Sequence, residues 1–139
     1  MDTHTAALLQ RAADDESTLH LGGLPEVPFG QHAQGAMEKL LKALIHERGQ
    51  KYPYTHDLDV LVVKLTILGE TLPTLPVTFG DLTDYAMTLR YEDDGQLPPP
   101  LDRRACTDAV ELLRVHVTGR IQALNPPPPP TANSSAATP

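Results

Sequence analysis

The stretch from His32 to Val63, HAQGAMEKLLKALIHERGQKYPYTHDLDVLVV, limits what the rest of the chain can be. Ala33, Ala36, Met37, Leu40, Leu41, Leu44 and Ile45 recur at helical spacing and fill about half of a helical wheel. So broad an apolar arc needs neighbours on more than one side, which predicts a central helix from about Gln31 to Arg48. Gly49 supplies the residue type that ends such a helix. On the opposite arc His32, Gly35, Lys39, Lys42 and His46 form one stripe. A turn containing Pro53 follows, and Thr55 is expected to cap a third helix. Asp57 and Asp59 then fall in its first turn, where the helix dipole favours acids.

The flanks are also helical by periodicity. Thr5 to Leu19 carries Ala6, Leu9, Ala13 and Ser17 at helical spacing, and Gly22, Gly23, Pro25 and Pro28 then predict a loop anchored by Phe29. In the third helix Leu58, Leu61, Val62, Leu65 and Leu68 make one face. Val60, Val63 and Ile67 lie on the other side, and this second apolar face is a candidate dimer contact. Thr78 or Asp81 opens a fourth helix, with Leu82, Tyr85, Ala86 and Leu89 at core spacing and its end near Arg90 and Tyr91. Glu92 to Pro100 reads as an exposed turn. A last helix from about Asp102 to Leu124 has Cys106, Val110, Leu113, Val117, Ile121 and Leu124 as its seam, and Asn125 stops it. No strand-period alternation competes. The expected fold is an all-α up-and-down bundle of four or five helices over residues 1–125. The proline-rich segment 126–139 is expected to be an extended, then disordered tail.

Composition narrows the function. With 139 residues one domain is expected, large enough to bury a core without cross-links. A single cysteine allows no internal disulfide and suits a reducing cytosol. The N-terminus lacks the basic and apolar regions of a signal peptide, and no apolar run is long enough to span a bilayer, so a cytoplasmic protein with no membrane contact is expected. A net charge of -7 argues against a dedicated duplex-DNA binder, and the absence of tryptophan argues against a stacking platform for single strands. The six histidines include no i,i+4 pair, so neither a metal nor another cofactor is expected.

Three separated motifs carry a resemblance: His32-Ala33-Gln34 with Ala36-Met37-Glu38-Lys39 and Leu41-Lys42-Ala43-Leu44, then Thr55-His56-Asp57-Leu58, then Leu89-Arg90-Tyr91. In order and spacing they resemble HEPN domains, over about Ala6 to Leu124. The resemblance implies a HEPN-like helical bundle, usually a homodimer, often encoded beside a minimal nucleotidyltransferase and associated with nucleotide or RNA binding. Some branches are toxins that cut RNA, using an Arg followed four to six residues later by a His. No Arg in this chain has a His at that interval, and Glu92 stands where an Arg-Tyr-Pro motif would place proline.

The candidate nucleotide- or RNA-binding residues are therefore Lys39, Lys42, His46, His56, Arg90, Tyr91 and Arg114, with His32 on the same stripe as the lysines. Each has a plainer alternative. Glu38 can pair with Lys42 at i,i+4, His56 and Asp57 can serve the helix start, and Arg90 can complement a helix C-terminus. Arg114 and His116 diverge by about 200° on a helix and cannot share a site within one chain. The reading favours a non-catalytic nucleotide- or RNA-binding module, partnered with a nucleotidyltransferase or belonging to a toxin–antitoxin pair. A metal-independent ribonuclease with a degenerate Arg/His site and a structural dimerising adaptor are the alternatives.

Overall fold

The computed structural model describes residues 1–86 and 100–129. Among them are five helices and no strand: α1 (Thr3–Leu19), α2 (Glu26–Glu47), α3 (Leu58–Ile67), α4 (Phe79–Ala86) and α5 (Arg103–Leu124). Helix α2 packs against each of the other four, as its broad apolar arc requires. Ala33, Ala36, Met37, Leu41, Ala43, Leu44 and Ile45 are fully buried, together with Leu58, Leu61 and Leu65 of α3, Leu82 of α4 and Leu113 of α5. Each large aliphatic side chain removed from water in this way contributes ~1.5–3 kcal/mol against the entropy of ordering the chain.

Helix α1 starts earlier than its apolar pattern suggests, because Asp2 caps it, accepting from the His4 amide at 2.6 Å. Its packed row is Thr5, Leu8, Ala12 and Leu19; the first three stand one position before the predicted Ala6, Leu9 and Ala13, and the predicted Ser17 is exposed. The two rows are neighbours on the wheel, and contact with α2 selects between them.

Helix α2 also starts early. Val27, Pro28 and Phe29 belong to its first turn rather than to a loop. Proline is tolerated there because the first helical amides have no intrahelical acceptor. Phe29 is a core residue, with the Arg103 guanidinium 4.9 Å from its ring. The end of α2 is as expected. Gly49 takes φ +78°, its amide bonds to the His46 carbonyl, and the Gln50 amide bonds to the Ile45 carbonyl, which is a Schellman closure. Helix α3 closes the same way at Gly69, and the reversal carries Glu70 inward.

The predicted cap of α3 is displaced by two residues. Asp57 is the N-cap, accepting from the Asp59 amide at 3.0 Å, while Thr55 accepts from the Asp57 amide at 3.0 Å and shapes the approach. Thr78 opens α4 by accepting from the Asp81 amide at 3.2 Å. Asp102 caps α5, whose seam of Cys106, Val110, Leu113, Val117 and Ile121 is buried, with Leu124 left at the margin. Leu89, Arg90, Tyr91, the turn expected from Glu92 onward and most of the proline-rich tail lie outside the described residues. No described helix is long and apolar enough to cross a membrane.

Candidate functional site

Gln34, Glu38 and Lys42 stand one helical turn apart on α2 and are all nearly buried. Polar groups held this far from water need partners, and these three bond to one another. The Gln34 amide donates to Glu38 Oε1 at 3.0 Å, and Lys42 Nζ donates to Glu38 Oε2 at 2.9 Å. His56 joins from the α2–α3 junction, its Nδ1 2.7 Å from Glu38 Oε1. Gln34 also holds the His56 main chain, donating to its carbonyl at 2.9 Å. Burial raises the Glu38 pKa, but hydrogen bonds from Gln34, His56 and Lys42 outweigh it and leave the carboxyl below its ordinary value.

The His56 side chain itself is 68% exposed. It borders an open cleft of about 640 Å³ between the starts of α3 and α4, lined by Thr55, His56, Asp57, Asp59, Gly80, Thr83 and Asp84. Thr83 fixes the two walls: its hydroxyl accepts from the Leu58 amide at 3.1 Å and donates to the Phe79 carbonyl at 3.0 Å. No lysine or arginine is among the described residues that line this cleft.

The basic stripe on α2 does not present a row of free cations. Lys39 and His32 both contact the Asp15 carboxylate of α1, His32 at 2.9 Å. A Cβ on Gly35 would meet that carboxylate at 3.0 Å, so the bare glycine is what lets Asp15 come in between them. Lys42 turns inward to Glu38 and lies 5.3 Å from the centre of the Tyr52 ring. His46 pairs with Asp2 at 3.2 Å and packs edge-on against His4, which shares a 2.7 Å hydrogen bond with the Tyr52 hydroxyl. Partners on α1 and within α2 account for the whole stripe, and periodicity along one helix could not reveal the α1 acids.

Arg114 bonds to Glu16 of α1 at 2.9 Å and lies 4.0 Å from Glu111, so it belongs to the α1–α5 seam and shares no partner with His56. Among the described residues the buried Nε2 of His116 has no hydrogen-bond partner. Arg90 and Tyr91 lie outside the described residues. Cys106 is buried, and burial, with lesser effects from Asp102, Glu26 and Asp81, pushes its thiol up to about 11, which removes it as a nucleophile. No group of three potential metal ligands occurs among the described residues. Val60, Val63 and Ile67 are exposed by 41%, 57% and 75%.

The sequence pointed to His56 but treated Glu38 only as the partner of Lys42. The missed signal was the Gln34–Glu38–Lys42 row itself, three polar residues at i,i+4 spacing on a helix otherwise packed on most sides. Thr83, Gly80 and Asp84 carried no signal, because they reach the cleft only through the α3–α4 contact.

The sequence pattern of the HEPN domain matches residues 29–115, more than half of the chain. The protein belongs to the HEPN domain family. The match begins at Phe29, so α1, which supplies Asp15 and Asp2 to the stripe, precedes it. No curated protein and no solved structure is significantly similar to the chain.

Proposed function

We propose that this HEPN protein is a nucleotide- or RNA-binding module without chemistry of its own, and that the ligand sits at the His56 cleft. The observation that carries the reading is the His56–Glu38 pair. An exposed imidazole anchored on a nearly buried carboxylate, at the edge of a cleft of nucleotide size, is a poised polar contact rather than an incidental surface histidine. The sequence holds no Arg followed four to six residues later by a His, the pair that RNA-cutting branches of the family use, which favours binding over catalysis. The exposed Val60, Val63 and Ile67 support a homodimer, and the family makes a minimal nucleotidyltransferase the first partner to test, in a toxin–antitoxin setting or another.

The test is binding of the four ribonucleoside monophosphates and of short RNA to the full chain, with His56→Ala alongside. Retention of ligand by the native protein and its loss in His56→Ala, with unchanged helix content, is the expected result. Failure of every ligand to bind the folded protein would overturn the reading. Ribonuclease is the second reading, favoured by the same imidazole–carboxylate pair, which is the arrangement of a general base. RNA cleavage that disappears in His56→Ala would replace the first reading with the second.

A further inference from the structure

The Glu38 carboxylate receives three hydrogen bonds, from Gln34, His56 and Lys42. An ionised carboxylate has no proton to give, so in the contact with His56 the donor must be the ring Nδ1–H. In a neutral imidazole that leaves Nε2 with a lone pair and no proton. Among the described residues Nε2 has no hydrogen-bond partner, and the ring stands at the edge of the cleft. Among the described residues the cleft is rich in acceptors: the Asp57, Asp59 and Asp84 carboxylates accept, the Thr83 hydroxyl is spent on the Leu58 amide and the Phe79 carbonyl, and the Thr55 hydroxyl accepts from the Asp57 amide and keeps its own proton to donate.

We infer that Glu38 and Lys42 are the positioning residues of this cleft, holding His56 with its proton on Nδ1 so that Nε2 accepts a hydrogen bond from a ligand hydroxyl rather than donating to a phosphate. The assignment of the ligand group rests on the proposed nucleotide binding, in which the hydroxyls belong to ribose. The assignment of the positioning pair does not. Lys42 acts from behind. It occupies Glu38 Oε2 and leaves Oε1 to His56 and Gln34, and Gln34 also fixes the His56 carbonyl. Lys42, which the stripe pattern offered as a nucleotide- or RNA-binding residue, therefore works through two other side chains.

The experiment uses the full chain labelled with ¹⁵N-histidine, in mildly alkaline buffer. Long-range ¹H–¹⁵N spectra distinguish the two neutral tautomers. His56 is expected with a protonated Nδ1 and a pyridine-like Nε2. Glu38→Gln is expected to abolish that preference, because an amide can also donate to Nδ1, and Lys42→Met to weaken it. In the binding assay, 2′,3′-dideoxy nucleotides are expected to bind native protein about tenfold more weakly than ribonucleotides, one hydrogen bond's worth. Inorganic phosphate is expected not to compete, and Glu38→Gln to erase the ribose preference.

A native His56 protonated on Nε2 overturns the positioning role. Equal affinity for ribo- and dideoxy-nucleotides, or displacement by phosphate, overturns the hydroxyl assignment. If no nucleotide binds at all, the proposed function fails and the hydroxyl assignment with it, while the tautomer still decides the role of Glu38. Should Glu38→Gln fail to fold, the native tautomer and the nucleotide series decide both points without it.

Discussion

Glu38 and Glu70 are both carboxylates that the fold takes nearly out of water, at 8% and 6% exposure, but they are satisfied differently. Glu70 is enclosed by two guanidiniums. Arg120 grips it through Nε at 2.8 Å and a second nitrogen at 3.0 Å, and Arg48 adds a contact at 2.5 Å while also bonding to the Leu68 carbonyl at 2.7 Å. Those bonds tie α2, the end of α3 and α5 together, and both guanidiniums are turned onto the carboxylate. Glu38 has one lysine, one amide and one imidazole, and the imidazole projects into water beside a cleft. A buried carboxylate whose partners all close on it serves the fold. One whose partner is still half free can serve a ligand.

The two variants that should separate these roles most strongly are Glu38→Ala and Glu70→Ala. Removing Glu38 strands the Lys42 ammonium, whose side chain is only 10% exposed, so a loss of about 3 kcal/mol is expected by urea unfolding. Lys42→Met in the Glu38→Ala background should recover a good part of it. Removing Glu70 strands Arg48 and Arg120, but these are 27% and 38% exposed and can rehydrate, so about 2 kcal/mol is expected with nucleotide binding retained. Equal loss of binding in both variants would erase the distinction between the sites.

The acid response sharpens the comparison. Hydrogen bonds from Arg120 depress the Glu70 pKa most, burial opposes, and Arg48 adds to the lowering. A depressed folded-state value means the stabilisation is fully present above the unfolded value of 4.5 and is lost as pH falls through the lower folded one. Glu38 has the same sign and so the same window. Stability measured by denaturant at a series of pH values should therefore fall below about pH 4.5, and Glu70→Gln should flatten that slope. Asp2 is shifted the same way, by the His4 amide first and His46 second, but it lies at the exposed start of α1.

At the other extreme, His56→Ala should cost only about 1 kcal/mol of stability, the one hydrogen bond to Glu38, since most of the ring is in water, while costing about tenfold in nucleotide affinity. Ile67→Glu tests the α3 face. Light scattering on eluted peaks should show a dimer for the native chain and a monomer for the variant, and a native chain that stays monomeric at high concentration removes that face as a contact.

The helices of this protein were legible in its sequence because each rests on local rules. The apolar arc of α2 required neighbours on several sides and has them, and Gly49 ends the helix through the one backbone conformation that glycine adopts freely. Early starts were harder to see, since Asp2 and Pro25–Pro28 look like loop chemistry until the unpaired amides of a first turn are counted. The exposure of Val60, Val63 and Ile67 also followed from spacing alone. Tertiary structure alone decided what the polar side chains of α2 do. Lys39 and Lys42 look alike from within the helix, but Asp15 of α1 claims one and Glu38, which also holds His56, claims the other. Periodicity says which side of a helix a charge is on. The partner that holds it comes from another part of the chain, and burial determines which partner it must take.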